Sequence, residues 1–444
     1  MGGRCEAAQR GAVNLLQDVR SQFKEGDEWR DCLVTSPPAI LDGKVIVGSA
    51  IGDNRAVLEE PGIVRAYDAR SGWLLWSWDP IPRDASNPVY KEWSPASIAI
   101  ASAANAWAPL SVDAARNLVF VPTGSASPDF FGGLRPGDNR WANSVVALDG
   151  DTGQLRWGQQ LVHHDLWDYD LASQPTLVNL VRGGKPVAAV CQATKMGFLF
   201  TFERDSGRPV FPIVEKPVPQ DAAPGERPSP TQPHPAAPPA LARQGPITSE
   251  DAWGLTWFDK RACSKRIESY RSKGVFQPPA LQDSLMQPGN AGGSNWGGLA
   301  FDPRRQLAVA NTLNLPFVVA LIPREQLQVQ MDSGRYDDFD FSSQHGTPYG
   351  MRRTSFTSDL GIPCVKPPWG QLTAVDMTRG DYLVAYALPQ CPVHRLRMSW
   401  STLLGCTEAN ADDRVTPRHC RCHIPRLGCL GVCDAAFADL FPRS

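Results

Sequence analysis

The chain has 444 residues, a formal net charge of −2, 38 glycines, 40 prolines and 14 tryptophans. Near-balanced charge leaves no electrostatic footprint for nucleic acid or an anionic membrane surface, and no apolar run of about eighteen residues is present to span a bilayer. Abundant turn formers with little helical apolar periodicity predict many short strands joined by turns.

At the N-terminus, residues 1–25 lack the apolar core of a signal peptide, and Ala12–Arg20 reads as a short amphipathic helix. As written, the chain is expected to stay in the cytosol. Its 11 cysteines are unevenly placed: Cys5, Cys32, Cys191, Cys263 and Cys364 are scattered, and the rest fall between Cys391 and Cys433. An odd total and irregular spacing argue against a disulfide framework.

A phrase then repeats. Val64-Arg-Ala-Tyr-Asp68-Ala-Arg-Ser-Gly72-Trp-Leu-Leu-Trp76 returns as Val145-Val-Ala-Leu-Asp149-Gly-Asp-Thr-Gly153-Gln-Leu-Arg-Trp157. Each reads as an alternating strand, an Asp-to-Gly turn and a second strand carrying Trp. Phe198–Gly207 and Leu372–Asp376 are weaker echoes, with strand-like runs at Lys44–Gly48, Asn117–Pro122 and Leu307–Asn311. A strand–turn–strand unit with one Trp buries that ring only against its neighbour, as propeller blades do. Blades usually run about 40–45 residues. The two clear copies are further apart, so blades are expected between them, degenerate or carrying insertions.

The stretch His163-His164-Asp165-Leu166-Trp167-Asp168-Tyr169-Asp170 concentrates carboxylates, imidazoles and aromatic rings. Carboxylates desolvated beside aromatic rings become better proton acceptors. The plainer alternative is a polar turn with a satisfied core tryptophan. Adjacent histidines in a strand face opposite ways, and no third ligand follows at useful spacing, so His163 and His164 at most shape a site.

Residues 209–246 are proline-rich, either a flexible linker or, since strand-like sequence resumes beyond, an ordered excursion. Residues 287–300 form a glycine-rich loop around Trp296. Such a loop lets backbone approach a flat ligand beside a stacking indole, or it is a tight turn with a core Trp. It lacks the setting and lysine of a phosphate-binding loop. In the last segment, Cys420, Cys422, His423, Cys429 and Cys433 match no standard zinc-finger spacing. That tail reads as disordered or as the product of an altered reading frame.

Seven phrases in order carry a family resemblance. They are Gly48-Ser-Ala-Ile-Gly-Asp53-Asn54, Asn105-Ala-Trp107-Ala-Pro109, Thr123–Gly133, His163–Asp168, Ala193-Thr-Lys195-Met-Gly, Ala310–Phe317 and Gly361–Gly370. From about Val34 to Pro389 the chain resembles the membrane-bound quinoprotein glucose dehydrogenases and the related quinate dehydrogenases. That resemblance implies an eight-bladed all-β propeller that uses pyrroloquinoline quinone (PQQ). It implies a catalytic Asp168 that removes the substrate hydroxyl proton as hydride leaves for the quinone. Lys195 and Asn311 correspond to residues that contact PQQ, Lys195 with an electrostatic role in catalysis. Trp107 corresponds to an aromatic near the ring system, and Trp296 is added as a stacking partner. Asp53 and Asn54 correspond to a carboxylate–amide pair assigned to a divalent metal, calcium or magnesium by ligand type.

Taken residue by residue, Lys195 alone would be a solvated surface lysine, Asn311 a strand-end turn residue and Asp53-Asn54 a hairpin turn. The family's N-terminal membrane helices and first blades, with a histidine over PQQ, have no counterpart here. Blade sequence of about two units is also absent between Arg379 and Gly380. The expectation is therefore an incomplete eight-bladed-type propeller at 34–389, between irregular extensions at 1–33 and 390–444. Its function would be oxidation of a sugar or polyol, glucose- or quinate-type, with electrons passing to ubiquinone. The alternatives are a non-catalytic propeller scaffold or an inactive truncated product. Relatives act at the periplasmic face of the inner membrane, whereas this chain, without a signal peptide or membrane helix, would be cytoplasmic.

Overall fold

The repeated phrase makes its own turn. In the computed structural model, which describes residues 33–52 and 54–387, Asp68 Oδ1 accepts from the backbone N–H groups of Arg70 and Ser71 at 3.0 and 2.7 Å. Gly72 N then donates to Asp68 O at 2.8 Å. Asp149 does the same with Asp151, Thr152 and Gly153. A short acceptor on Asp holds the turn, and Gly supplies the positive φ that ends it. The expectations for the N-terminal segment, for Asp53 and for the cysteine-containing tail lie outside the described residues.

These turns join the outer strands of four-stranded antiparallel sheets. The first sheet is β1 (Ala39–Leu41), β2 (Lys44–Val47), β3 (Val64–Asp68) and β4 (Leu74–Trp78) in sequence order. The second is β5 (Ser111–Asp113), β6 (Leu118–Pro122), β7 (Arg140–Asp149) and β8 (Leu155–Gln160). A third has β9 (Thr176–Arg182), β10 (Lys185–Ala193) and β11 (Leu199–Glu203). Register slips at the same point of the phrase, between Ala66 and Tyr67 and between Ala147 and Leu148. Such a bulge sharpens the twist just before the turn.

The strands that follow are split between blade and excursion. β12 (Ile213–Pro217) and β13 (Thr231–Pro235) pair within the proline-rich segment. β15 (Ala300–Asp302), β16 (Leu307–Leu313), β20 (Gly370–Asp376) and β21 (Asp381–Ala387) form a fourth blade-like sheet. Between β16 and β20 the chain leaves that sheet to build another, in the order β14 (Ser284–Met286), β17 (Phe317–Pro323), β19 (Tyr349–Ser355) and β18 (Asp340–Ser342).

Neighbouring blades are locked by aromatic rings. Trp76 Nε1 donates to Gly150 O in the second sheet at 3.0 Å, and Trp157 Nε1 to Arg204 O beside the third at 2.7 Å. A Cβ on Gly153 would stand 2.5 Å from the Trp76 ring, and one on Gly207 2.6 Å from that of Trp157. The rings rest directly on glycine backbone. The first two sheets are thus direct neighbours, and the spacing between the clear repeats comes from the insertion at 79–110, with no blade in between.

The third copy of the phrase is Glu203-x-x-x-Gly207-x-x-x-Phe211, in which Phe replaces Trp. Phe211 docks on Gly380, whose Cβ would stand 2.6 Å away. Gly380 N donates to Asp376 O at 2.7 Å, and β20 pairs with β21 with the familiar slip, here between Ala374 and Val375. The Arg379–Gly380 junction, where the resemblance led us to expect a break in the blade sequence, forms an uninterrupted hairpin.

Apolar clusters fill the seams: Ile46, Val64, Val119 and Val146 around Trp76, then Phe120, Phe200 and Phe202 around Trp157. Val178, Leu199 and Phe211 meet Ala308 and Val375 at the third. The excursions have a smaller core in which Cys263 and Cys364 form a disulfide across 101 residues of sequence. Cys263 lies on the helix Trp257–Ser269, capped by Thr256, whose Oγ1 accepts from Asp259 N at 3.1 Å. Cysteine spacing did not reveal this pair, because its partners meet only through tertiary packing.

Candidate active site

The loop after β8 is folded by Asp165. Its Oδ1 accepts from Trp167 N at 3.0 Å, and its Oδ2 from Tyr169 N at 2.8 Å, Asn143 Nδ2 at 2.9 Å and the Ser125 hydroxyl. Burial pushes this carboxyl up despite those donors. Trp167 is fully buried and donates to Gln277 O at 2.8 Å, so it is the satisfied core tryptophan of the plainer reading. Tyr169 OH donates to Pro288 O at 2.6 Å.

Asp168 sits between these two anchors with φ at 56°, a left-handed conformation that is costly for a non-glycine residue. Its carboxylate is held by three donors. Lys195 Nζ lies 2.7 Å from Oδ1; Asn290 Nδ2 and Arg353 Nη1 donate to Oδ2 at 3.1 and 3.2 Å. Lys195 Nζ also donates to Asp168 O at 2.7 Å and to Asp170 Oδ2 at 2.9 Å, which occupies all three of its protons.

Electrostatics separate the two carboxylates. Burial drives the Asp168 carboxyl up to about 6, with Asp170 adding to the rise and Lys195 and Arg353 opposing it. Burial alone would raise Asp170 as well, but Lys195 and the donors of Asp168 and Ser125 hold it down at about 2. Lys195, desolvated yet flanked by both acids, is pushed up. Of two neighbouring carboxylates, Asp168 is the one poised to exchange a proton near neutrality.

Around this group the glycine-rich loop and its indole close in. Lys195 Nζ lies 5.7 Å from the centre of the Trp107 ring, and Trp107 lies 5.8 Å from Trp296 at an interplanar angle of 52°. Gly293 N donates to Lys195 O at 2.6 Å. A Cβ on Gly297 would stand 2.7 Å from Asn311 Oδ1, which places the β16 asparagine against the same loop. Asp168, Lys195, Trp107, Trp296 and Asn311 thus form one continuous neighbourhood.

Asn54 approaches from another side. It lies in the Gly52–Arg55 turn and lines a cavity of about 410 Å³ together with Arg353. Its buried Oδ1 finds no hydrogen-bond partner among the described residues, and neither does that of Asn290. Orphaned amide oxygens fit a hard cation or a hydroxyl donor. No group of three or more His, Cys, Asp or Glu among the described residues could hold a metal ion alone.

His163 and His164 face away from Asp168. His163 Nε2 lies 3.2 Å from Glu215 Oε1, and His164 Nε2 lies 2.8 Å from Glu226 Oε1. Both glutamates belong to the proline-rich segment, so the histidines fasten that excursion to the site loop.

Residues 2–399 match the family described as "PQQ: Glucose/ethanol/alcohol dehydrogenase, beta-propeller domain". The chain belongs to this PQQ dehydrogenase family. It is 37% identical over 389 residues to the quinoprotein glucose dehydrogenase of Escherichia coli (strain K12), covering 86% of this chain and 47% of that protein. It is 38% identical over 395 residues to the quinate/shikimate dehydrogenase (quinone) of Acinetobacter baylyi, covering 87% and 48%. The crystal structure of quinohemoprotein alcohol dehydrogenase from Comamonas testosteroni has the same fold, with a TM-score of 0.52 at 23% identity, over 81% of this chain and 47% of that one. The chain spans about half the length of the curated relatives it matches. This PQQ-family chain is a β-propeller protein. Among the described residues, no helix is long and apolar enough to cross a membrane.

Within this PQQ-family site, three participants escaped the sequence reading. Asp170 was visible as a third carboxylate but had no role. Asn290 lies inside the glycine-rich loop, where residue type alone does not separate a ligand-facing amide from a turn residue. Arg353 offered no local signal, because its link to Asp168 spans 185 residues.

Proposed function

We propose that the chain is the Asp168-bearing part of a dehydrogenase that oxidises a secondary hydroxyl of a sugar or polyol, glucose- or quinate-type. The single observation carrying this reading is a desolvated carboxylate, held up to about 6, in contact with a buried lysine beside paired indoles. PQQ, when bound, supplies the two-electron acceptor that takes the hydride. Asp168 removes the hydroxyl proton. Lys195 would offer the bound cofactor positive charge and an N–H donor now engaged by Asp168 or Asp170. Trp107 and Trp296 give flat apolar surface, and Asn311 orients the cofactor from β16. Asp53 and Asn54 would hold calcium or magnesium, a role supported at Asn54 by its unpartnered amide oxygen. Electrons then pass to ubiquinone.

The Cys263–Cys364 disulfide supports an oxidising compartment such as the periplasm over the cytosol expected from the N-terminus.

The test is reconstitution of the purified chain with PQQ and calcium or magnesium, followed by dye reduction with glucose and with quinate. Saturable turnover that disappears in Asp168→Asn is the expected result. Turnover unchanged by that substitution removes Asp168 from the chemistry, and no quenching of tryptophan fluorescence by PQQ removes the cofactor.

A further inference from the structure

Of the three donors on Asp168, Arg353 differs from the others. Its side chain is 23% exposed, against 5% for Lys195, and its hydrogen bond is the longest of the set. The other face of Arg353 lines the cavity of about 410 Å³ with Asn54, Arg55, Asp340, Ser342 and Ser343. The lining carries the guanidinium groups of Arg55 and Arg353 and the carboxylate of Asp340. That wall is built to hold its shape. The Ser342 hydroxyl donates to Asn54 O, Ser343 Oγ donates to Arg55 O at 2.6 Å, and Val57 N donates to His345 O at 2.9 Å. Arg353 is carried on β19 between β17 and β18, paired with Val319 and Asp340.

A guanidinium presents five donors in a planar fork that matches a carboxylate in two parallel hydrogen bonds. Arg353 spends one of them on Asp168. We propose that this cavity is a carboxylate subsite in which Arg353 binds the acid group of a hydroxy-acid polyol. The inference rests on reading Asp168 as the base, and it narrows the substrate class to acidic polyols. It also gives Arg353 two positions. Without the acid, Arg353 occupies Asp168 Oδ2. With the acid bound, Arg353 turns to the cavity, and the freed lone pair on Oδ2 accepts the hydroxyl proton. A neutral sugar offers Arg353 no such alternative partner.

PQQ also carries carboxylates, so the experiment separates the two sources. Cyclohexanecarboxylate and cyclohexanecarboxamide, which have no hydroxyl to oxidise, are titrated calorimetrically into the PQQ-loaded chain. The same is done for Arg353→Gln and Arg353→Lys, and PQQ affinity is read separately from tryptophan quenching. The expected result is carboxylate binding about tenfold tighter than carboxamide, a preference lost in Arg353→Gln and partly kept in Arg353→Lys, with PQQ affinity unchanged. Equal binding of the two probes by the unsubstituted chain overturns the proposal, as does a preference that survives Arg353→Gln. Weaker PQQ binding in Arg353→Gln assigns the arginine to the cofactor and also overturns it. These readings need no turnover. A chain that binds the acid with the Arg353-dependent preference, yet turns over unchanged in Asp168→Asn, would refute Asp168 as the base while leaving the subsite standing.

Discussion

At the seam between the first two sheets, nearly everything required lies within one phrase: Asp68 to shape the turn, Gly72 to end it and Trp76 to reach the next blade's Gly150 and Gly153. Around Asp168, by contrast, Lys195, Asn290 and Arg353 arrive from β10–β11, the glycine-rich loop and β19. The seam is modular, and each ring needs only its nearest neighbour. The site is a convergence of a blade turn carrying Lys195, a loop carrying Asn290 and an excursion strand carrying Arg353. Stability and chemistry should therefore respond to different substitutions.

The largest effect is expected at the site. Asp168→Asn should lower turnover by about 10²–10⁴-fold while leaving cooperative melting in place, as steady-state kinetics and thermal denaturation would measure. The unsubstituted chain should lose kcat/KM as pH falls through about 6, because the raised Asp168 is then protonated and accepts nothing. A flat profile from pH 5 to 8 would separate that group from the rate.

A seam should show the opposite pattern. Trp157→Ala removes a buried indole and strands Arg204 O, which should cost about 3–5 kcal/mol of stability by denaturant titration. Comparison of Trp157→Ala with Trp157→Phe, the third seam's own solution at Phe211, sharpens the point: Phe should recover most of the loss. Between the two patterns lies the disulfide. Cys364→Ala should cost about 2–4 kcal/mol, and the loss should concentrate in the excursions, as hydrogen exchange would resolve. The smallest expected change is Gly207→Ala. It combines a φ of 67° with a Cβ 2.6 Å from the Trp157 ring and should lower stability by about 1–3 kcal/mol.

Much of the blade architecture was legible because its causes are local. The Asp-x-x-x-Gly turn and a ring four residues later announce a seam wherever they occur, even as Glu203, Gly207 and Phe211 in the copy that had looked only like an echo. Where the reading went astray, distance was the reason. Trp76 and Gly153 touch although an insertion separates their phrases, and Cys263 meets Cys364 across 101 residues of sequence.

The candidate site divides along the same line. Sequence alone established that a desolvation-prone aspartate cluster follows β8, that a glycine-rich loop surrounds Trp296, and that Lys195 and Asn311 belong to matching phrases. Residue type and short spacing are enough for that. Which carboxylate would be saturated by donors, which would rise towards neutrality, and that an arginine from β19 would stand between Asp168 and a cavity were decided by tertiary structure. Those properties depend on burial and on charges meeting across the fold, and neither is written in any one stretch of chain.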